Sequence, residues 1–541
     1  LLKKGGQRDW PFNPDLIGNG VTLHRIKVNG TTIDTADIRN SSSRYGLYGR
    51  GPIRYGTNLI LPLRPVLRGD DSVEVEIEWS YIFPDSYRLR MGKYGPSTYF
   101  ISYWYPQVAV FDDVHGWDLL DYTGSQEMYN DFSDFKVRIT VPDTVMVWAT
   151  GELTNAKKLL QKPVFKRWQH AHKTDTVVQI VGAEDLAADK VLRKDASTWE
   201  FNAKQVPDFA FGISDFFHWD ASSIEVEPGR RVLAQAAYNP NNFMYDSCVA
   251  ISRRVLDELG NTLPGVPYPF PVMTVFNGSG GMEYPMIVND GPVRDRADMI
   301  DLTYHEIAHT YFPFLMGTNE RRYSWMDEGW ANLFPARMVF REEPSAGDPY
   351  ERYALSVASQ AGRESYVPLM TPSSFLEGWV LSQHTYDRPM LAYGYLQDML
   401  GDSLFRVCLK KYIADWQYKH PQPYDFFYSF SATSGQDLDW YWRAWFYEVH
   451  EPDLGLALVE QEGTTVTLTV ESVGTLPVPV HLKFRLADGS NVERHASPVV
   501  WANGQRTWQF SEDFGQAVKS IRLGGSNIAD NDLRNNRWTA K

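Results

Sequence analysis

His305-Glu306-Ile307-Ala308-His309, followed after eighteen intervening residues by Glu328, is the stretch from which the 541-residue chain is best read. Side chains four apart on a helix project from one face, so His305 and His309 can aim imidazole nitrogens at one ion about 2 Å away. Glu306 then stands beside that ion without having to bind it. Leu302 and Phe312 continue the stripe, and Pro313 disfavours helix at the residue before it, which predicts a helix ending near Phe312. A third ligand has to come from elsewhere. In Ser324-Trp325-Met326-Asp327-Glu328, Ser324 and Asp327 read as a capping box that opens a second helix with Glu328 in its first turn. Asn332, one turn further on, is placed to hydrogen-bond a ligand imidazole.

The length of 541 residues exceeds one core and suggests about three domains. A hydrophobic fraction of 43% with 22% charged residues is that of a water-soluble globular chain. The net charge of −14 argues against nucleic-acid binding, which needs a basic face to displace counterions. Cys248 and Cys408 are the two cysteines, too few and too far apart for a disulfide framework or a thiolate metal site, so buried free thiols are expected. No run of about eighteen apolar residues occurs, so no transmembrane segment is expected. The start at Leu1 rather than Met leaves room for a targeting segment removed or not included. Compartment and oligomeric state stay open, with a periplasmic or secreted setting favoured over a cytoplasmic one.

Periodicity divides the chain into three expected regions. Residues 1–212 read as an N-terminal antiparallel β domain: Val73, Val75, Ile77 and Trp79 alternate with polar residues, Phe135, Val137, Ile139 and Val141 repeat the pattern, and Asn29-Gly30 marks a hairpin. His170 and His172 fall on one face of an expected strand, as an exposed edge rather than a metal pair. Residues 213–453 carry helical spacing over 244–259 and 390–413, the mark of a mainly α catalytic domain around the metal motif. Residues 454–541 return to strands, with Val466, Leu468 and Val470, then Val480, Leu482, Phe484 and Leu486, and a tight turn at Asn503-Gly504, giving a small C-terminal β-sandwich. The fold class is therefore multidomain α+β.

A zinc ion held by two His and one Glu keeps an open position, where a water can be acidified towards a pKa of about 7. Glu306 is the base placed to take its proton, and the oxyanion formed at a carbonyl then needs a fixed donor such as a Tyr hydroxyl.

At this point the chain resembles the gluzincin zinc peptidases, and more closely the aminopeptidase N family. HEIAH with Asp327-Glu328-Gly329 carries the likeness. Gly280-Gly281-Met282-Glu283-Tyr284 is similar to the family's G-x-M-E-N signature, and Tyr386-Asp387-Arg388-Pro389 to its Y-E-K-G segment. The resemblance implies a thermolysin-like catalytic domain, one Zn2+ on His305, His309 and Glu328, peptide substrates, and Glu306 as general base. It further implies that Tyr386 donates to the oxyanion and Glu283 holds the substrate's α-ammonium, with Gly280 and Gly281 letting a strand run beside the substrate. Glu127, next to Gln126, stands as a second amine anchor, whereas Glu320 reads as a surface or helix-capping carboxylate.

Tyr284, Asp327 and Arg388-Pro389 depart from the family's usual Asn, Asn and Lys-Gly. The ending at Lys541, without the long helical domain many members carry, implies a shorter member with a more open cleft. The activity expected is hydrolysis of N-terminal residues from peptides. The alternatives are a zinc endopeptidase or epoxide hydrolase on the same fold, or a catalytically silent binding scaffold.

Overall fold

The computed structural model describes residues 20–41, 51–83, 90–122 and 126–540. Its first strands follow the alternation. Thr22–Val28 and Thr31–Ile33 pair as a hairpin with Val28 opposite Thr31, across Asn29 and Gly30 at φ 48° and 75°. Both loop residues need positive φ in such a turn, which Asn and Gly tolerate at least cost. The run that begins at Val73 becomes strand from Val75 to Ser80, and Ser133–Thr140 pairs antiparallel with Thr198–Val206.

This region is not purely β. His170 lies in a helix, Lys162–Ala171, that His172 closes, and not on the expected strand edge. Pro163 opens that helix and Val164 and Ala171 bury its inner face seven residues apart, a helical period that outweighs the short H-x-H alternation. His172 instead packs on Trp168, ring centroids 4.2 Å apart.

A five-stranded sheet forms the floor under the site. In order it runs β1 (Val178–Val181), β2 (His218–Glu227), β3 (Arg230–Tyr238), β4 (Val272–Asn277) and β5 (Ile287–Asp290), with the last two pairings parallel. Its edge strand β1 comes from sequence before residue 212, so one sheet joins the first expected region to the second. Every residue of β4 and β5 is buried, as a parallel sheet covered on both faces requires. Helix α1 (Cys248–Asn261) makes the crossover from β3 to β4.

Among the helices that follow are α2 (Arg296–Ala308), α3 (Trp325–Glu342), α4 (Arg388–Leu400) and α5 (Asp402–Trp416). Asp295 caps α2 by accepting from the Asp298 amide at 2.9 Å. The helix ends at Ala308, four residues short of the expected Phe312. Its last turn tightens to bonds from Thr310 to Ile307 and from Tyr311 to Ala308, because Pro313 has no N–H with which to continue the ladder. Gly401, at φ 74°, separates α4 from α5.

The C-terminal strands form two facing sheets of three and four strands, with Val466, Leu468, Val470, Leu482, Phe484 and Leu486 buried between them. Asn503-Gly504 does not close a hairpin. It makes the expected tight turn, at φ 57° and 78° with the Gln505 amide on the Ala502 carbonyl at 3.2 Å, on the way from Asn491–Ala496 to Thr507–Asp513, strands of different sheets. Cys248 and Cys408 are buried free thiols. No helix among the described residues is long and apolar enough to cross a membrane.

Candidate metal centre and its acid pocket

Two helices bring the site together. His305 lies in the last turn of α2, His309 caps it, and Glu328 lies in the first turn of α3. His305 Nε2 is 3.2 Å from His309 Nε2 and 3.2 Å from Glu328 Oε2, and His309 Nε2 is 3.5 Å from that oxygen. Donors 2.0–2.2 Å from a tetrahedral ion stand about 3.3–3.6 Å from one another, so the three atoms already outline one face of such a site. Two nitrogens and one carboxylate oxygen suit zinc.

The capping box expected at Ser324 and Asp327 does not form. The Ser324 hydroxyl hydrogen-bonds with Ser373 Oγ at 2.8 Å and Thr385 Oγ1 at 2.7 Å. Asp327 turns to the metal centre instead, its Oδ1 2.6 Å from His309 Nδ1. The role expected of Asn332 thus falls to Asp327 at His309, and Asn332 lines the neighbouring cleft. With its proton on Nδ1, facing Asp327 and the Phe312 carbonyl at 3.1 Å, His309 leaves the Nε2 lone pair towards Glu328. Burial opposes charge on His309, but the adjacent Asp327 and Glu283 carboxylates raise its proton affinity well above the imidazole range. Burial also opposes charge on Glu328, yet the imidazoles of His305 and His309, 3.2 and 3.5 Å from its Oε2, hold its carboxyl well below the usual range.

Glu306 is 4% exposed and groups with Glu283 and His309, their polar atoms all within 4.8 Å of one another. Burial, and then the charge of Glu283, push its carboxyl well above the ordinary value. Its Oε2 has no hydrogen-bond partner among the described residues. Gly281 fits against it so closely that a Cβ there would lie 2.4 Å from Glu306 Oε1. Gly280, Gly281 and Glu283 do not lie on a strand. They belong to the connection between β4 and β5, which is tied down by bonds from the Asn289 amide to the Met282 carbonyl at 2.8 Å and from the Thr274 amide to that of Met286 at 2.9 Å.

Behind Glu283 lies a pocket of carboxylates. Glu127, Glu283, Glu320 and Asp327 are all buried, with oxygens within 4.8 Å of one another. Glu127 is 1% exposed, and Arg90 Nη2 meets its Oε1 at 3.0 Å. Gln126 points elsewhere, donating to the Ser373 carbonyl at 3.1 Å. Glu320, expected at the surface, is 3% exposed and accepts from the Met128 amide at 3.2 Å. The short helix Glu320–Tyr323 starts inside the molecule, and burial, with Asp327, Glu127 and Glu283 nearby, raises its carboxyl well above the usual range. Tyr284 explains its departure from the signature Asn: its hydroxyl donates to the Arg90 carbonyl at 2.8 Å and lies 2.9 Å from Ser102 Oγ, locking the loop to the N-terminal strands.

Tyr386 sits on a single wide helical turn, Gln383–Asp387, its ring centroid 6.4 Å from that of His305. Together they line an open cleft of about 380 Å³. Arg388, in the place of a lysine, faces away from this cleft. Its guanidinium donates to the carbonyls of Val367 at 2.7 Å, Trp445 at 2.9 Å and Glu448 at 3.2 Å, and burial lowers its pKa. The sequence reading missed Arg90, the inward course of Arg388, the burial of Glu320 and the true task of Asp327. Only Asp327 carried a local signal, its place beside Glu328.

Residues 282–445 match the peptidase family M1 domain. A leucine aminopeptidase 2 from Neosartorya fischeri is 25% identical over 206 residues, 34% of this chain and 32% of that protein. A leukotriene A-4 hydrolase homolog from Botryotinia fuckeliana is 23% identical over 204 residues, 34% and 31% of the two chains. The matched stretch thus spans about a third of the length of these curated relatives. Among solved structures, an M1 zinc metallopeptidase from Deinococcus radiodurans shares the fold at a TM-score of 0.54 and 14% identity, covering 81% of this chain and 86% of the other. Legionella pneumophila aminopeptidase A, solved with aspartic acid, does so at 0.61 and 12%, covering 94% and 53%.

Proposed function

We propose that this chain, whose residues 282–445 match the peptidase family M1 domain, is a zinc-dependent aminopeptidase that removes N-terminal residues from peptides. One observation carries the reading: a triad of metal donors, 3.2–3.5 Å apart, stands between an open cleft and a closed pocket of carboxylates. A substrate with a free amine is held by such a pocket at one end only, which fixes the bond to be cut as its first.

His305, His309 and Glu328 would hold a zinc ion, which when bound would supply Lewis acidity to the scissile carbonyl and to water. The chain's own groups do the rest. Glu283, with Glu127 behind it, takes the α-ammonium. Glu306, buried and with a raised proton affinity, accepts a proton on its carboxylate from the attacking water and returns it to the departing amine. Tyr386 donates its hydroxyl hydrogen to the oxyanion. Asp327 keeps His309 oriented, with Nε2 available to the ion.

The test is a set of matched peptides with free and acetylated N-termini. Free peptides are expected to be shortened and acetylated ones left intact; equal cleavage of both would replace the reading by an endopeptidase. Glu306→Gln is expected to lose about 10²–10⁴ of kcat while still binding zinc. Unchanged turnover in that variant would refute the assignment of the base.

A further inference from the structure

The cleft beside the metal donors has a charge pattern to which the peptidase reading gives no role. Helix α2 ends with His309 against the acid pocket, while Asp298, Asp301, Leu302 and His305 along it line the open cleft. A peptide whose α-ammonium sits at Glu283 therefore passes the donors and sends its second residue towards Asp301. Asp301 is one turn before His305, and such pairs stand about 5–6 Å apart at Cβ.

Val293, Leu302 and Tyr353 give that space apolar patches beside the polar Asn332 and Ser382, and Asp298, Asp301 and Asp387 make it acidic. Two of its carboxylates are engaged: Asp298 accepts from Arg294 at 2.6 Å, and Asp387 accepts from the Ser356 hydroxyl. Asp301 makes no hydrogen bond among the described residues. Its one ion contact is with Arg352 at 4.0 Å, between side chains 42% and 64% exposed. Arg352 is drawn aside by Tyr353, donating to its hydroxyl with the guanidinium 4.5 Å from the ring centroid. A contact so long and so exposed gives way to a better placed cation. A cleft with apolar patches beside a loosely held carboxylate suits a side chain with a methylene stem and a cationic head.

We propose that Asp301 makes the position after the scissile bond selective for a basic residue, so that the preferred substrates carry Lys or Arg second. This rests on the aminopeptidase reading above. The zinc-loaded full chain is assayed at low ionic strength with Ala-Lys-Ala, Ala-Leu-Ala, Ala-Glu-Ala and acetylated Ala-Lys-Ala. kcat/KM for Ala-Lys-Ala is expected to exceed that for Ala-Leu-Ala by about three- to tenfold, with Ala-Glu-Ala slowest and the preference fading as salt rises. Asp301→Asn is expected to bring the Lys-to-Leu ratio near one, and Asp301→Lys to reverse the order of Lys and Glu. Equal rates for Lys and Leu in the unaltered chain, or an unchanged ratio in Asp301→Asn, overturn the subsite and leave the aminopeptidase reading intact. Failure to cut any free tripeptide, or cutting of the acetylated one at the same rate, overturns that reading and the subsite with it.

Discussion

At the scale of single residues, Asp327 does the most that its position in the sequence does not announce. A Ser followed three residues later by an acid reads as a helix cap, and its place beside a metal-binding Glu is the one local sign of another task. Which of the two Asp327 becomes depends on His309 arriving 2.6 Å away, across eighteen residues of chain. Removing it in Asp327→Ala leaves the His309 Nδ1 proton with the Phe312 carbonyl alone at 3.1 Å. Zinc affinity, read by competition with a chelator, is expected to fall about 10–100-fold, with Asp327→Asn recovering most of the loss because its amide oxygen still accepts. If Asp327→Ala binds zinc as tightly as the unaltered chain, the carboxylate does not support His309. The motif itself was readable because its spacing encodes its geometry: four residues make one helical turn.

At the scale of elements, the join between α3 and α4 is a tight constraint on the site. Gly329, next to Glu328, faces Pro389 and Tyr393, and a Cβ there would lie 2.7 Å from Tyr393 Cε2 and 2.8 Å from Pro389 Cβ. Gly329→Ala has to push apart the helix carrying Glu328 and the helix that follows Tyr386. Overpacking of this kind costs about 1–3 kcal/mol, to be read from denaturant midpoints, and activity is expected to fall further than stability. Wild-type stability and turnover in that variant would mean that the two helices slide freely. The same scale shows why element boundaries were misread. The amphipathic strands and α1 followed their periodicity, since burial of one face is a local property of the pattern. The end of α2 and the helix at Lys162–Ala171 did not, because a proline and an H-x-H pair are weak signals beside the packing around them.

At the scale of the whole molecule, the acid pocket is where N-terminal strands and catalytic helices meet. Asp208, 3% exposed and accepting from Tyr105 at 3.0 Å and Gln107 at 2.9 Å, is pushed up by burial to about 6. An acid whose folded value lies above its unfolded 3.8 binds protons more tightly when folded, so stability falls as pH rises between these two values and is constant above. Asp208→Asn removes that slope. The stability of the variant relative to the parent, measured by denaturation at several pH values, is expected to rise by up to about 3 kcal/mol from pH 4 to pH 6 and then stay level. A relative stability independent of pH would mean that Asp208 is not desolvated. Stripping the metal is the second test at this scale. Zinc at a thousand times its Kd adds about 4 kcal/mol to the folded state, so chelation is expected to lower Tm as well as abolish turnover. An unaltered Tm would show that the metal does not bind the folded chain tightly.

What the sequence determined alone was periodic or close in spacing: amphipathic strands, the helix bearing His305 and Glu306, the Asn29-Gly30 hairpin and the return to strands after residue 454. Each of these is set by how one face of a short segment meets water or core. The tertiary structure decided what needs distant segments side by side: Asp327 behind His309, Arg90 against Glu127, Glu320 drawn inside, Tyr284 tied to Arg90, and the acidic trough along α2. Charge and hydrogen bonding act over a few ångströms, and only the fold sets which residues come that near.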